Sequence, residues 1–330
     1  MKTALWTMAA ALSLAAQPKL LVNAQLDSRS AASGLDAAFR AAVAAQPQPA
    51  WIAYSVPSVR VFMGCDYVRD GWNQNQPGVI HLEPPDHAVI LFRVDQGAVE
   101  RIRTLSPDCE IDAGNLPVHW LNDVKPAESV ALLDGFAKQR ERYQDGAMNA
   151  IAMHSDPAAE TALMRFLGTD QPESIRLRAV GWFGPSRGRQ HGFDVLKNLI
   201  ANDPNERVRE RALSTIGNSK ENDATDLLLA YAEKDPNSRM RAAAVSALNR
   251  HSGAKVVNTL KSIIENDPDN NVRRRAISTL QQMPDGEGIP TLIQFARTTK
   301  DNEVRKQAMN SLGQSRDGRA LAFFEEVLKK

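Results

Sequence analysis

Apolar and polar positions repeat along the second half of the chain with an almost fixed period. An apolar residue followed by arginine occurs five times, and alanine stands three positions after each arginine. The arginines are spaced by 33, 32, 32 and 32 residues and are Arg176, Arg209, Arg241, Arg273 and Arg305. A period between about 20 and 50 residues is typical of a solenoid, in which each unit buries its apolar face against its neighbours. The pattern favours an extended binding surface over a closed catalytic pocket.

Within each unit the apolar positions follow a helical period. The second copy has apolar residues one before and three, four and seven after its arginine, namely Val208, Ala212, Leu213 and Ile216. These positions share one face of a helix. Asp203 and Pro204 precede this helix, and we expect the aspartate to cap it and the proline to lie in its first turn. Further amphipathic stretches lie between the copies, at 193–201, 225–233, 256–265 and 289–297. Each unit is therefore predicted to be a helical hairpin.

An aspartate stands six residues before most of the repeated arginines. The pairs are Asp170 with Arg176, Asp203 with Arg209, Asp235 with Arg241, and Asp267 with Arg273. With these pairs the chain resembles the HEAT and HEAT-like repeat family over about residues 145–330. The resemblance implies that the aspartates and arginines form a hydrogen-bonded ladder between successive repeats and contact no ligand. Thr299 replaces the aspartate before Arg305, so the ladder either weakens there or uses Asp301.

The rest of the chain divides into three further regions. Residues 1–24 are predicted to be a secretory signal peptide, because Lys2 precedes an uncharged apolar run at 4–16. Cleavage is expected after Ala24, with Ala16 as a second candidate, and a retained helix is the open alternative. The run of 13 residues is shorter than the roughly 20 that span a bilayer. We therefore expect an exported protein, periplasmic or extracellular, without an integral membrane segment after cleavage.

The predicted fold class is an α+β N-terminal domain followed by an all-α HEAT-like solenoid of about five to six hairpins. The small domain covers 25–124, a connecting helix 125–144 and the solenoid 145–330. Within the domain we expect a helix at 35–45, strands at 51–59, 88–94 and 98–105, and a long loop at 71–85. One helix is expected over 126–143 and a last one over 319–330. The third strand alternates two sets of residues, Val99, Arg101 and Arg103 against Glu100, Ile102 and Thr104. This alternation predicts that one face of the strand is exposed to solvent.

Two cysteines are present, Cys65 and Cys109, both in the small domain. In an oxidising compartment an even number within one domain favours a disulfide. Closing a loop of 44 residues restricts the unfolded chain by roughly 4 kcal/mol. Two buried thiols or a metal pair completed by other residues are the alternatives.

Charge is unevenly distributed along the chain. The formal net charge is +1, which argues against a general polyanion binder. Residues 25–149 carry 11 Lys and Arg against 16 Asp and Glu, a net −5, whereas residues 150–330 carry 27 against 23, a net +4. Nucleic-acid binding is not expected, since the basic face has only one aromatic residue.

Known catalytic motifs are absent from the sequence, so no catalytic residues and no cofactor are predicted. The six histidines form no His-x-His pair and no His-Glu-x-x-His. Two clusters have metal-binding side chains: His81, Glu83, Asp86 and His87, and Asp108, Glu110 and Asp112. The first contains Pro84 and Pro85, typical of a surface turn, and the second lacks the donors and glycine of a calcium loop. We predict no metal site.

The candidate binding residues lie on the repeated helices. By resemblance to the family, the second helix of each hairpin lines a concave surface. The positions two before and two, five and six after the ladder arginine fall outside the buried stripe. They hold Arg178, Arg207, Arg211, Arg239 and Arg275, with the small neighbours Ser214, Thr215, Ser246, Ser278 and Thr279. Trp182 stands where other repeats have small residues, and either anchors an interface or packs under the front domain.

These positions predict a non-catalytic protein-binding or scaffolding module that binds an acidic or extended peptide. Two other classes remain open. One is an enzyme, bilin-lyase-like or a hydrolase, with its site in the front domain or at the domain junction. Some bilin lyases and hydroxylases are built from related repeats, but the facing His-Glu pairs that the hydroxylases need do not occur here. The other class is a self-associating structural protein.

Overall fold

A computed structural model describes residues 21–45, 49–60, 63, 65, 83–139, 141–184, 189–219 and 222–329. The chain forms two compact units, Met1–Gly168 and Thr169–Lys330, called here the N-terminal and the C-terminal unit. The predicted signal peptide lies outside the described residues except for its last four positions. Most of the predicted loop at 71–85, with His81, also lies outside them.

The N-terminal unit is built around a five-stranded mixed sheet. In chain order its elements are β1 (Leu21–Val22), β2 (Gln25–Ser30), α1 (Leu35–Ala44), β3 (Ala50–Pro57), β4 (His87–Asp95), β5 (Ala98–Leu105), β6 (Ile111–Asp112) and β7 (Pro117–Asn122). The strand order is β2-β7-β3-β4-β5, and β1 pairs with β6 separately. β7 is parallel to both β2 and β3, and β3, β4 and β5 form an antiparallel meander. The predicted helix at 35–45 and the three predicted strands are present.

Apolar side chains cover both faces of this sheet. On one face Phe92 packs edge-on against Phe39 of α1, with ring centroids 4.7 Å apart. On the other face the buried Trp120, Ala53 and Leu91 surround Cys109. The predicted disulfide between Cys65 and Cys109 is confirmed, with their Cα atoms 5.2 Å apart. It fastens the segment after β5 to the chain that follows β3.

The predicted single helix at 126–143 is wrong. The chain forms α2 (Pro126–Ala137) and α3 (Glu141–Met153), followed by α4 (Pro157–Phe166). α2 buries Val130 and Leu133 and α3 buries Tyr143 and Ile151, and the two helices pack against each other. A reversal between them lets both apolar faces be covered, which a continuous helix could not achieve. α3 and α4 belong to the N-terminal unit, whereas the sequence placed residues from 145 onwards in the solenoid.

A β-bulge changes the faces of β5. Val94 pairs with Val99 and Arg93 pairs with Arg101, so Glu100 is an extra residue in the ladder. Val99 is consequently buried on the face opposite Arg101. The expectation that Val99 shares a face with the arginines of this strand is therefore wrong, while Arg101 and Arg103 do share one.

The C-terminal unit consists of helical hairpins. In chain order its helices are α5 (Glu173–Gly181), α6 (Arg189–Asn202), α7 (Glu206–Ile216), α8 (Asn222–Lys234), α9 (Ser238–Ala247), α10 (Ala254–Asn266), α11 (Asn270–Gln282), α12 (Ile289–Thr298), α13 (Asn302–Gln314) and α14 (Gly318–Leu328). We call α5, α7, α9, α11 and α13 the inner helices, since each packs against the next one. The predicted solenoid is confirmed. Within the part of the chain described, no helix is long and apolar enough to cross a membrane.

The inner helices begin two residues later than the Asp-Pro pairs suggest. The N-cap of α7 is Asn205, whose Oδ1 accepts hydrogen bonds from the amides of Arg207 and Val208. Asp203 instead forms the preceding turn, because its Oδ1 accepts from the amide of Asn205 at 2.9 Å. Asn237 and Asp269 cap α9 and α11 in the same way. The capping role expected for the aspartates of the Asp-Pro pairs is therefore wrong.

Candidate functional site

The repeated arginines join one inner helix to the next repeat. Arg241 donates from Nε and Nη2 to the carboxylate of Asp267, at 2.8 and 3.0 Å. Arg176 donates from Nη2 to the carboxylate of Asp203, and Arg273 donates from Nη2 to that of Asp301. Each carboxylate thus comes from the following repeat, 26 to 28 residues further along the chain. We call these contacts the arginine ladder.

The aspartate six residues before the arginine also contributes, but through its backbone. Arg209 Nη1 donates to the carbonyl oxygen of Asp203 at 2.7 Å, and Arg241 Nη1 to that of Asp235 at 3.0 Å. Arg305 makes the equivalent bond to the carbonyl of Thr299. Because this bond needs no side chain, threonine can replace aspartate at that position. The missing carboxylate is replaced by Asp301, the N-cap of α13, which binds Arg273.

The predicted ladder residues are not all equivalent. The Arg176 and Asp203 side chains are 5% and 4% exposed, whereas those of Arg273 and Asp301 are 21% and 37% exposed. Asp170 is exposed and accepts a hydrogen bond from Gln171. Among the described residues, Arg209 makes no ion pair with Asp235, whose Oδ1 accepts from the amide of Asn237.

The pKa values of two ladder groups, Arg241 and Asp301, are shifted by their partners. The hydrogen bonds that Arg241 donates to Asp267 raise the pKa of Arg241 above its usual value. The hydrogen bond from Arg273 is the main cause that lowers the pKa of Asp301. Both shifts favour the charged forms of these two groups.

A second set of contacts between repeats was missed in the sequence. Glu173 of α5 accepts from Asn205 Nδ2 at 2.8 Å and from Arg207 Nη1 at 2.5 Å. One repeat later Glu206 accepts from Asn237 Nδ2 at 2.6 Å and from Arg239 Nη1 at 3.4 Å. We call these contacts the glutamate ladder. The sign available in the sequence was the glutamate at positions 173 and 206, which is the first residue of α5 and of α7.

The glutamate ladder divides the candidate binding residues. Arg207 and Arg239 belong to it, and are therefore already occupied by carboxylates of the preceding repeat. Arg211 lies four residues after Arg207 on the same face of α7, and Arg275 occupies the matching position of α11. Both arginines are exposed. No hydrogen bond or ion pair of their guanidinium groups is seen in the described part of the chain. Arg178 is half-buried and has an interaction of its own.

The expected groove of small residues is only partly present. Ser214, Ser246 and Ser278 are exposed or half-buried, as expected. Thr215 and Thr279 are 5% and 2% exposed, because they face the neighbouring inner helix. Thr279 donates to the carbonyl of Val245 in the preceding repeat at 3.1 Å. In these two repeats the position six after the arginine is therefore part of the packing between repeats. At the same position Trp182, at the end of α5, and Ser311 of α13 are half-buried.

The N-terminal unit contains a buried chain of hydroxyl and imidazole groups. His154 Nδ1 is 2.7 Å from the carbonyl oxygen of Ala150, which can only accept, so Nδ1 carries the proton. His154 Nε2 then accepts from Ser129, 2.9 Å away, and Ser129 is 2.8 Å from the Tyr54 hydroxyl. All three side chains are fully buried, and burial raises the pKa of Tyr54. The chain ties β3, α2 and the end of α3 together and presents no group to a substrate.

The two clusters weighed as metal sites are used for local structure. His87 Nδ1 lies 2.8 Å from Asp86 Oδ1. Asp112 accepts from the amide of Gly114 at 2.8 Å and from Asn23 at 3.1 Å. No group of three or more potential ligands comes together among the residues that the structure describes.

Comparison with known proteins identifies the class of this chain. The family model described as HEAT repeats matches residues 161–249, 193–268 and 257–330, which together exceed half of the chain. The chain belongs to the HEAT repeat family, as the spacing of its arginines indicated. No curated protein matches it.

Two solved structures are distantly similar to this chain. Human deoxyhypusine hydroxylase in complex with glycerol is 14% identical, with a TM-score of 0.31, over 61% of this chain and 90% of that chain. The complex of CpcE and CpcF of phycocyanin lyase from a Nostoc species is 18% identical, with a TM-score of 0.33, over 58% of this chain and 77% of that chain. These values carry no argument about function.

Proposed function

We propose that the inner helices bind an acidic, extended segment of a protein partner, and that Arg211 and Arg275 make the main contacts. One observation supports this most strongly. Arg207 and Arg239 are held by glutamates of the preceding repeats, whereas Arg211 and Arg275 are exposed and have no such partner in the described chain. An unpaired guanidinium keeps its full fork of N–H donors for an external carboxylate.

The positions of the two arginines suit an extended ligand. α7 and α11 are separated by one inner helix, α9, and packed helices lie about 8–10 Å apart. Arg211 and Arg275 are therefore roughly 16–20 Å apart, a span that five or six residues of extended peptide cover at about 3.3 Å each. Between them α9 presents Ala243, which is half-buried and leaves room for the peptide backbone.

The chemistry of this surface favours recognition over catalysis. Its exposed groups are guanidinium donors, small side chains and serine hydroxyls. Ser214 and Ser246 donate to carbonyls of their own helices at 3.1 and 2.8 Å, so neither hydroxyl is paired with a base. The role proposed is therefore that of a binding or scaffolding module.

Binding of a labelled peptide tests the proposal. We choose a fluorescent peptide of about twelve residues, rich in glutamate, and a second peptide with glutamine in place of glutamate. At about 0.1 M ionic strength, where charges are screened over about 10 Å, we expect only the acidic peptide to raise the fluorescence anisotropy. With Arg101 and Arg103 of β5 changed to glutamine in every protein compared, so that these accessible arginines do not bind the peptide, R211E/R275E should weaken its binding at least about tenfold.

The matched control is K300E/R316E, which makes the same change in net charge at two exposed positions outside the inner helices. We expect the control to bind within about twofold of the unchanged protein, since only screened long-range attraction is altered. Equal losses in both double variants, or equal binding of the glutamine peptide, would contradict the proposal. Light scattering on each sample separates peptide binding from self-association.

The proposal includes export of the protein. A disulfide within the N-terminal unit supports an oxidising compartment, as does the signal-like pattern of residues 1–24. Of the two expected cleavage positions, the one after Ala16 fits the fold better. Val22 accepts from the amide of Ala113 at 3.0 Å, and Leu21 packs against the buried cluster around Trp120. Cleavage after Ala24 would remove both contacts.

A further inference from the structure

Three arginines and a tryptophan share one face of the sheet in the N-terminal unit. Arg93 of β4 pairs directly with Arg101 of β5, and with Trp51 of β3 on its other side. Arg103 lies two residues further along β5 on the same face. The Arg93 guanidinium lies over the Trp51 ring, 5.8 Å from its centroid. We call these four residues the arginine face.

The arginine face is electrostatically unfavourable in the free protein. Directly opposed residues of antiparallel strands have Cβ atoms about 4.5–5.5 Å apart, and like charges at such positions destabilise a sheet. Arg101 is exposed and Arg103 is half-buried. Neither makes an ion pair or a side-chain hydrogen bond in the described part of the chain. Within that part of the chain, therefore, no carboxylate is paired with Arg101 or Arg103 to offset the repulsion between Arg93 and Arg101.

Arg93 is held in place without a carboxylate. Its Nη1 donates to the backbone carbonyl oxygens of Val94 and Ala50, at 2.8 and 3.4 Å. These bonds and the Trp51 ring fix the orientation of the guanidinium. A fixed guanidinium loses little conformational entropy when it binds an anion.

We infer that the arginine face binds two carboxylates of an extended acidic peptide segment. Arg101 and Arg103 are two residues apart on one strand, so their Cα atoms are separated by about 6.6–6.8 Å. Acidic residues at alternate positions of an extended peptide have the same separation and project to the same side. The preferred motif is therefore acidic-x-acidic rather than two adjacent acidic residues. The Trp51 ring contacts the peptide beside the first carboxylate.

The charge around the arginine face favours a short peptide over a large polyanion. Residues 25–149, which contain it, have a net charge of −5. A nucleic acid or an anionic membrane would contact much of this surface and be repelled, whereas a short segment contacts only the arginines. This site is distinct from the inner helices and does not depend on the proposed function.

The test follows the indole N–H signal of Trp51 in NMR spectra of the full chain, assigned with W51F. Two short peptides of equal composition are compared, Ser-Ser-Glu-Ser-Glu-Ser-Ser and Ser-Ser-Glu-Glu-Ser-Ser-Ser. We expect the alternating peptide to shift the Trp51 signal and to bind at least about tenfold more tightly than the adjacent one. R101Q/R103Q should weaken this binding at least about tenfold, because two charge-assisted hydrogen bonds are lost.

Two controls make the result specific. R40Q changes an arginine on α1 that is 77% exposed and should leave the peptide-induced shift of the Trp51 signal unchanged. R211E/R275E on the inner helices should also leave that shift unchanged. R101Q/R103Q should also raise the unfolding temperature, since a like-charge contact is removed, which separates lost binding from lost folding. The inference is overturned if both peptides bind equally, if R40Q weakens binding as much, or if polyphosphate or anionic vesicles shift Trp51 at lower concentration than the peptide.

Discussion

The two ladders between repeats should differ greatly in their contribution to stability, although both consist of arginine and a carboxylate. In the arginine ladder the Arg241 and Asp267 side chains are 11% and 6% exposed and are joined by two hydrogen bonds. In the glutamate ladder the Arg207 and Glu173 side chains are 66% and 37% exposed. Breaking a buried pair from one side leaves an uncompensated charge, whereas an exposed charge is solvated by water.

The perturbation is to neutralise one carboxylate in each ladder, with D267N and E173Q. Breaking a buried pair costs about 3–5 kcal/mol. We expect D267N to lower the free energy of unfolding by about 3 kcal/mol, at the low end of this range. The loss is limited because Arg241 keeps its bond to the carbonyl of Asp235 and asparagine can still accept from the amide of Asp269. E173Q should cost less than about 1 kcal/mol.

Native-state hydrogen exchange is the suitable assay, since the chain has two units and repeats, and a single two-state unfolding fit is not justified. A loss of about 3 kcal/mol corresponds to exchange about a hundredfold faster in α9 and α11. Because neighbouring repeats stabilise each other, α11 to α14 should open more readily than α5 to α7 in D267N. Similar effects of D267N and E173Q, or an effect of D267N below about 1 kcal/mol, would refute the reasoning.

Three further predictions concern other parts of the fold. His251 accepts a hydrogen bond from Thr225, and burial lowers its pKa, so the unfolded chain binds the proton more readily than the folded chain. Stability should therefore fall as the pH drops through the usual histidine range, and urea unfolding of H251Q should lose this part of the pH dependence. In α3 a Cβ on Gly146 would lie 2.6 Å from a backbone oxygen of β5, so G146A should destabilise the N-terminal unit by about 1–3 kcal/mol. Gly135 of α2 has open space around it, so G135A should stabilise the same unit by about 0.5–1 kcal/mol; thermal unfolding measures both changes. N-terminal sequencing of the exported protein should find a first residue that precedes Leu21, and a chain beginning after Ala24 would contradict the cleavage site proposed here.

The solenoid could be predicted from the sequence because its main feature is periodic. Each ladder arginine is flanked by the same apolar positions, and one strong period determines helix, hairpin and stacking together. The possible use of Asp301 in place of Thr299 was also visible, since Asp301 is a carboxylate near the expected position. The start of each inner helix could not be predicted, because the aspartate of the Asp-Pro pair and the residue two positions later are both good capping residues.

The candidate site was less predictable, because it depends on contacts between repeats. Arg207 and Arg211 look alike in the sequence and both are exposed. Only the position of Glu173 in the preceding repeat distinguishes the arginine that is ion-paired, Arg207, from the other. In the N-terminal unit the bulge at Glu100 decides which residues join Arg101 on one face. A bulge adds a single residue to a strand and leaves no periodic mark, so the arginine face could not be recognised before the pairing of β4 and β5 was known.

The central claim is that the inner helices carry two kinds of arginine, one occupied within the fold and one available to a partner. Arginine-specific chemical labelling, read residue by residue by mass spectrometry, tests it directly. In the free protein Arg211 and Arg275 should react faster than Arg207 and Arg239, and the bound acidic peptide should slow the reaction of the first two only. Equal reactivity of all four arginines, or a peptide that protects neither Arg211 nor Arg275, would contradict the account.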